Sequence, residues 1–137
     1  MRIVILGAVQ VGATLAARLA GEVNDITVVD ANTVLLRTLQ DRLDIRMGEG
    51  ASYPSVLAQV GCADADMLVA AINNDEVNMV AFQLAQLLFS IPRKVARIHG
   101  SSYLGCADRL FRASAIPVDV LISPEQLVTD HIEQLTL

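Results

Sequence analysis

The segment Gly7-Ala8-Val9-Gln10-Val11-Gly12 has the residue types and spacing of a turn that binds the phosphates of a nucleotide. It follows the apolar run Ile3-Val4-Ile5-Leu6 and precedes a helix-like run, which is the context of such turns. The first glycine permits the tight turn, the last lets the helix pack on the strand, and the free N–H groups of the helix start attract an anion. Val9 stands where the full motif has another glycine, so a turn that only packs a helix on a strand is the alternative.

A carboxylate follows this turn at the spacing expected for a ribose ligand. Asp30 lies 18 positions after Gly12 and closes the next strand-like run, close to the spacing of about 20 residues in dinucleotide-binding domains. Such a carboxylate accepts two hydrogen bonds from a ribose diol and repels a 2′-phosphate, which favours NAD or an adenosine nucleotide over NADP. The alternative is that Asp30 caps a helix near Asn32.

Three further groups of residues are candidates for ligand contact: two follow strand-like runs, at the sheet edge where open α/β folds bind ligands, and the third is an arginine within the fifth strand-like run. The loop Gly48–Ser52 is placed for an adenine, or it is a simple turn from strand to helix. The polar run Asn73–Glu76, together with Asn78, either caps the following helix only or also contacts the ligand. Arg97, in an otherwise apolar run, has a phosphate as its anionic partner or forms a salt bridge to an acidic neighbour.

Strand-sized apolar runs alternate with helix-length segments, which is the pattern of βαβ units in a parallel sheet. The predicted strands are Arg2–Leu6, Asp25–Val29, Asp44–Met47, Met67–Ala71, Lys94–Ile98 and Val118–Ile122. The predicted helices cover residues 11–20, 33–42, 54–60, 75–89 and 103–113. The fold class is therefore α/β: a Rossmann-like, doubly wound parallel sheet of six strands in the order 3-2-1-4-5-6, with helices on both faces and a C-terminal crossover helix.

The composition narrows the class of protein. The 137 residues fit one domain, and 53% hydrophobic residues with only 4% aromatic residues predict a core of Val, Ile, Leu and Ala. A net charge of −5 argues against a surface for nucleic acid or anionic membranes. No uncharged apolar stretch reaches the roughly 18 residues of a membrane span, so we predict a soluble cytoplasmic domain. Cys62 and Cys106 form no paired motif and are expected to be reduced thiols.

Two predicted helices indicate surfaces for a partner. Apolar residues surround most of the circumference of Val77–Phe89, so this helix is either deeply buried or shared with a second subunit. The run Ser123–Gln126 has an N-cap serine, a proline at the first helical position and the glutamine of a capping box. We expect residues 1–122 to form a nucleotide-binding domain and residues 123–137 to begin an interface helix that leads to a further, C-terminal regulatory part.

Several stretches resemble the NAD-binding regulatory domains of the KTN/RCK family, in particular those of Trk-type potassium uptake proteins. They are ILGAVQVGATLA, NDITVVD, DADMLVAAINNDEVNMVAFQLA, VARIHGSSYL and VDVLISPEQLVTDHIEQL, and together they extend over essentially the whole chain. The resemblance implies a regulatory domain that binds NAD(H), or ATP, ADP or AMP, and controls a membrane potassium transporter. It also implies a homo-oligomer, assembled through residues 77–89 and 123–137, on the cytoplasmic face of the inner membrane.

The resemblance also implies which residues contact the ligand. The glycine turn would contact the pyrophosphate, Asp30 the ribose, Glu49 the adenine and Arg97 a distal phosphate, with Ile72 and Asn73 following the fourth strand. The implied ligand residues are Gly7, Ala8, Val9, Gln10, Val11, Gly12, Asp30, Glu49, Ile72, Asn73 and Arg97.

Three positions depart from the family pattern, and each removes a close or polar contact to a phosphate. Val9 replaces the second glycine, Ile72 replaces a threonine, and His99 replaces an arginine two residues after Arg97. We expect regulatory binding without turnover and no catalytic or metal-binding group. One alternative is the cofactor domain of a dehydrogenase, but Tyr103 has no lysine four residues on and no other residue resembles a positioned acid or base. The other alternative is a degenerate domain that serves only in assembly.

Overall fold

A computed structural model of the chain describes residues 1–7, 11–20, 24–30, 32–42, 46–49, 54–59, 61–112, 115–116 and 118–122. Its strands are β1 (Arg2–Leu6), β2 (Asp25–Asp30), β3 (Arg46–Glu49), β4 (Met67–Ala70), β5 (Arg93–Arg97) and β6 (Val120–Ile122). They form one sheet in the order β3-β2-β1-β4-β5-β6, and each neighbouring pair is parallel. The predicted α/β fold with a parallel sheet is thereby confirmed.

Helices connect these strands. They are α1 (Val11–Ala20), α2 (Thr33–Arg42), α3 (Pro54–Gln59), α4 (Asp75–Leu84), α5 (Ser101–Leu104) and α6 (Ala107–Leu110). A short 3₁₀ turn covers Cys62–Asp64, and α4 continues as a π-helical segment over Ala85–Phe89. None of the described helices is long and apolar enough to cross a membrane.

The core lies on both faces of the sheet. In β1, Ile3 and Ile5 face α1 and α2, whereas Val4 and Leu6 face α3 and α4. Phe82 of α4 is among the largest fully buried side chains. A central strand covered on both faces must be apolar at every inner position, which explains the uninterrupted run in β1.

Every strand except β1 differs from its predicted bounds by one or two residues at one or both ends, and the predicted helix 103–113 differs more. The third strand covers Arg46–Glu49 instead of 44–47. Gly48 and Glu49 extend it because they pair with β2, and the backbone hydrogen bonds of a parallel pair do not require apolar side chains. The predicted helix 103–113 is divided into α5 and α6, with the break at Gly105 and Cys106. Glycine has a low helix propensity, and Cys106 has a φ of −111 that is not helical.

The predicted helix 75–89 also combines two kinds of helix and two environments. Ala81, Phe82 and Ala85 are buried, whereas Val80, Leu87 and Leu88 are exposed, Leu87 at 74% of its surface. The segment is therefore buried on one side and presents an apolar surface on the other. The predicted interface helix 123–137 lies outside the described residues.

Candidate functional site

The first glycine of the turn has a conformation that other residues avoid. Gly7 has a φ of +101, and its N–H donates to the Val29 carbonyl oxygen at 2.8 Å. A Cβ atom on Gly7 would lie only 2.7 Å from the Ala71 carbonyl oxygen. Glycine is therefore required at position 7 both for the left-handed backbone and for the close passage of the chain beside the end of β4.

The last glycine of the motif brings α1 against the end of β1. A Cβ atom on Gly12 would overlap the carbonyl oxygen of Gly7, so only glycine fits at this position. The backbone N–H groups of the first turn of a helix have no partner within the helix and attract anions. Ala8, Val9 and Gln10 lie outside the described residues, so contact between Val9 and a phosphate remains a prediction.

This turn lies at the topological switch point of the sheet, where the order of successive strands reverses. β1 pairs with β2 on one side and with β4 on the other, and the Ala71 N–H donates to the Leu6 carbonyl oxygen at 2.8 Å. The connections therefore lead away from β1 in opposite directions, which opens a crevice at the carboxyl edge of the strands. Open α/β sheets bind nucleotides in this crevice, with the phosphates at the helix start.

The predicted ribose ligand lies at the same edge. Asp30 is the last residue of β2, is half-buried, and pairs in register with Glu49 at the end of β3. Its Oδ1 accepts the Asn32 N–H at 2.7 Å, while the Asn32 Oδ1 accepts the N–H groups of Val34 and Leu35 at 3.1 and 3.2 Å. The cap of α2 is therefore Asn32, and the interpretation of Asp30 as that cap is wrong.

Two polar residues after β4 accept hydrogen bonds from different parts of the backbone. Asn74 caps α4, since its Oδ1 accepts the Val77 N–H at 3.1 Å. Asp75 accepts the N–H groups of His99 and Gly100, at 2.9 and 2.6 Å respectively, and so ties the start of α4 to the chain after β5. These two side chains hold backbone in place at the carboxyl edge.

Asn78 makes three hydrogen bonds in the interior. Its side chain is fully buried, and its Oδ1 accepts the Ile72 N–H at 3.0 Å. Its Nδ2 donates to the carbonyl oxygens of Ile72 and Arg97, both at 2.8 Å. One amide thus joins the chain after β4 to the end of β5.

Arg97 presents a guanidinium group at this edge. Its Nη1 donates to the Asn73 Oδ1 at 3.1 Å. Its Nε is buried, and no acceptor for it is found among the residues that the structure describes. Within those residues Arg97 also has no acidic partner, so the predicted salt bridge is not found there.

The described residues at this edge fit a nucleotide. Gly7, Asp30, Asn73 and Arg97 follow or end four neighbouring strands. A Cβ atom on Gly7 would fill the space between the turn and the end of β4, and the carboxylate of Asp30 can accept the hydroxyls of a diol. The buried Nε of Arg97 is a donor that has no acceptor among the described residues. Of the other predicted ligand residues, Ile72 and Gly12 lie at this edge, whereas Val11 and Glu49 are described by their backbone only.

Two side chains with shifted pKa values lack the properties of a reactive group. The negative charge of Glu76 is the main cause that raises the pKa of Tyr103, followed by burial, a hydrogen bond to Glu76 and the charge of Asp75. The phenol therefore stays protonated at neutral pH and is a donor. Burial raises the pKa of the Cys62 thiol to about 11, which makes it unreactive. Cys62 and Cys106 are both free, as predicted.

The connecting roles of Asn78 and Asp75 were not predicted from the sequence. One available signal was the position of Asn78, four residues before Phe82 and seven before Ala85, both of which are buried apolar residues. A polar residue on the buried face of a helix needs hydrogen-bond partners in the interior. No comparable periodicity marks Asp75, whose partners lie 24 and 25 positions away.

Comparison with known proteins identifies a matching family model and relatives of similar sequence. The family model of the TrkA-N domain matches residues 3–124. The Trk system potassium uptake protein TrkA of Halomonas elongata is 60% identical over 136 residues, which are 98% of this chain and 30% of that protein. The TrkA of Vibrio alginolyticus is 57% identical with the same coverage. The chain therefore spans about 30% of the length of these relatives.

Solved structures show the same fold at low identity. The TrkA-N domain of the inner membrane protein ybaL from Escherichia coli has a TM-score of 0.77 and 15% identity, over 99% of this chain and 96% of that one. The Kef CTD of Shewanella denitrificans in its AMP-bound form has a TM-score of 0.75 and 21% identity, over 99% and 80% respectively. The GsuK channel bound to NAD has a TM-score of 0.71 and 17% identity, over 88% and 21%.

Proposed function

Since the chain belongs to the TrkA-N domain family, we propose that it is a nucleotide-binding regulatory domain of a potassium uptake system. Its relatives from Halomonas elongata and Vibrio alginolyticus are Trk system potassium uptake proteins. The first candidate ligand is NAD(H), and ATP, ADP and AMP are the alternatives. The observation that carries the proposal is the close passage of Gly7 beside Ala71 at the topological switch point, where the order of the strands reverses.

We assign each part of the ligand to residues at the carboxyl edge. Residues Gly7–Gly12 and the start of α1 hold the pyrophosphate, because the glycines allow close approach of backbone N–H groups. Asp30 accepts the hydroxyls of a ribose, and Glu49 lies near the adenine. Arg97, with Ile72 and Asn73 beside it, holds the distal phosphate. The buried Nε of Arg97, without an acceptor in the described part of the chain, supports this last assignment.

The proposed role is binding without turnover. The bound nucleotide supplies charge and hydrogen-bonding groups, and its preference for one conformation of the assembly shifts the population toward it. A dehydrogenase would use Tyr103 as its acid or base. The pKa of this phenol is raised, so it is not available as a base at neutral pH. This arrangement supports a sensor more than the cofactor domain of a dehydrogenase.

We further propose that the domain assembles as a homo-oligomer through residues 77–89 and 123–137. The exposed side chains of Val80, Leu87 and Leu88 form an apolar surface along α4 and its π-helical continuation, and burial of that surface would stabilise a dimer. Residues 1–122 then form the nucleotide-binding domain, and residues 123–137 begin the helix that joins further parts of the protein. Its other partner is a membrane potassium transporter, which places the domain on the cytoplasmic face of the inner membrane.

One observation favours a second candidate, a domain that only supports assembly. Ile72 packs its side chain against the apolar cluster on the α4 side of the sheet, and it cannot donate a hydrogen bond from that side chain to a phosphate. Position 72 therefore lacks a polar contact that a threonine would supply.

Calorimetric titration of the chain with NADH, NAD and ATP distinguishes these functions. We expect heat of binding and a higher melting temperature with ligand, because a ligand of the native state stabilises it. Asp30→Ala should weaken every ribose-containing ligand, whereas Asp108→Ala removes an exposed carboxylate of α6 and should change nothing. No heat and no stabilisation at millimolar ligand would reject nucleotide sensing and leave the assembly function.

A further inference from the structure

We propose that Asn78 is a positioning residue that sets the preference of this site for a nucleotide with a second phosphate over a nucleoside monophosphate. It acts through Arg97, whose backbone it holds. The inference rests on the proposed nucleotide site and adds to it a buried residue that does not itself touch the ligand.

The Asn78 amide lies where the pairing between β4 and β5 stops. The last paired residues of the two strands are Ala70 and Ala96. Beyond them, Asn78 bonds to both backbone groups of Ile72 and to the carbonyl oxygen of Arg97. Its side chain therefore replaces the missing strand pairing and holds the two chain ends at a set separation.

The same hydrogen bonds also determine where the guanidinium group of Arg97 lies. Ile72 is followed directly by Asn73, and the Asn73 Oδ1 accepts a hydrogen bond from Nη1 of Arg97 at 3.1 Å. Asn78 thus holds both ends of the pair that orients the guanidinium: the backbone next to Asn73 and the backbone of Arg97. A shift of either end would move the guanidinium relative to the glycine turn.

Among side chains of this length, only asparagine has the amide that this position uses. The side chain accepts one hydrogen bond and donates two, and it does so from a fully buried place close to the backbone. Aspartate has no donor when ionised, serine has one donor, and leucine has none. Removal of the amide would leave buried carbonyl groups without partners and would release Arg97 from its place.

The guanidinium held in this way is suited to an anion beyond the first phosphate. Arg97 has no acidic partner among the described residues, and its buried Nε lacks an acceptor there. Guanidinium groups bind phosphate oxygens with strong, directional hydrogen bonds that depend on their orientation. The site should therefore gain affinity from a second phosphate only while Asn78 keeps Arg97 in place.

The test compares the dissociation constants of AMP and ADP for the whole chain by calorimetry, well below the melting temperature. The unmodified chain should bind ADP about tenfold more tightly than AMP, as expected for one charge-assisted hydrogen bond. In Asn78→Ser and in Arg97→Gln the ratio should fall to about one, and the double variant should show no further change. The matched control is Asn74→Ala, which removes an exposed cap from the same helix end and should leave the ratio unchanged.

Several results would overturn the inference. An unchanged ratio in Asn78→Ser would mean that Asn78 has only a structural role, since general loosening weakens AMP and ADP alike. Independent effects of the two substitutions in the double variant would separate Asn78 from Arg97. If the unmodified chain binds AMP, ADP and NADH but the ratio stays unchanged in the variants, this inference fails while the proposed function stands. If the unmodified chain binds none of them, both fail.

A measurement on the unmodified chain covers the case in which Asn78→Ser does not fold. The side-chain NH₂ signals of Asn78 should shift more in NMR spectra on addition of ADP than of AMP, because Nδ2 is bonded to the Arg97 carbonyl oxygen. Equal shifts with AMP and ADP would contradict the coupling between Asn78 and Arg97.

Discussion

Replacement of Gly7 with alanine tests the close passage of the glycine turn beside the end of β4. The added Cβ would lie 2.7 Å from the Ala71 carbonyl oxygen and 2.8 Å from its carbonyl carbon, on a residue with a φ of +101. The left-handed backbone costs an alanine about 1–2 kcal/mol, and a methyl group forced against packed backbone costs about 1–3 kcal/mol more. Gly7→Ala should therefore lower the free energy of unfolding by about 2–5 kcal/mol.

Gly61→Ala is the matched control for this experiment. Gly61 also has a left-handed φ, +89, but a Cβ atom there would meet no other atom of the described residues within 4 Å. Both substitutions reduce the freedom of the unfolded chain by a similar amount, so this effect cancels in the comparison. In urea unfolding followed by circular dichroism, Gly7→Ala should lose about 1–3 kcal/mol more than Gly61→Ala. Equal losses would refute the passage of Gly7 beside Ala71.

Three further predictions concern the motif, the apolar surface and the thiols. Val9→Gly should tighten NADH binding in calorimetry, because glycine allows closer approach of the pyrophosphate; unchanged or weaker affinity would mean that position 9 does not face it. Leu87→Glu should shift the chain from dimer to monomer in sedimentation, because an interface disfavours a buried carboxylate; an unchanged sedimentation coefficient would exclude Leu87 from the interface. Cys106 should react with a thiol reagent in the folded chain and Cys62 only after unfolding, because burial raises the pKa of Cys62 to about 11. Rapid reaction of both thiols would contradict that burial.

The strands and the glycine turn were predictable because their causes are local. A strand covered on both faces must be apolar at its inner positions, so β1 has its predicted bounds, Arg2–Leu6. A turn that passes close to other backbone needs glycine, so Gly7 and Gly12 could be given their roles from type and spacing alone. The helix α1 likewise has its predicted start, Val11.

Contacts between distant residues could not be predicted in this way. Asn32 and Asp30 are both good helix caps, and only the path of the chain after β2 decides that Asn32 is the cap of α2. The sequence showed Asn78 as one of several polar residues after β4, but its bond to Arg97 joins positions 19 apart in the chain. The change from α-helix to π-helix at Ala85 likewise has no signal in the apolar spacing, which continues through Leu88.

The nucleotide site at the carboxyl edge is tested most sharply by an NMR map of the backbone signals that NADH shifts. The proposed site predicts the largest shifts at the carboxyl edge of the sheet, at Gly7, Gly12, Asn73 and Arg97. The opposite edge has a depression lined by Arg2, Ile3, Val4, Asp25, Thr27, Gly61 and Ala65, and the backbone signals of these residues should not move. Shifts confined to that depression, or no shifts with millimolar NADH, would contradict a nucleotide site at the carboxyl edge.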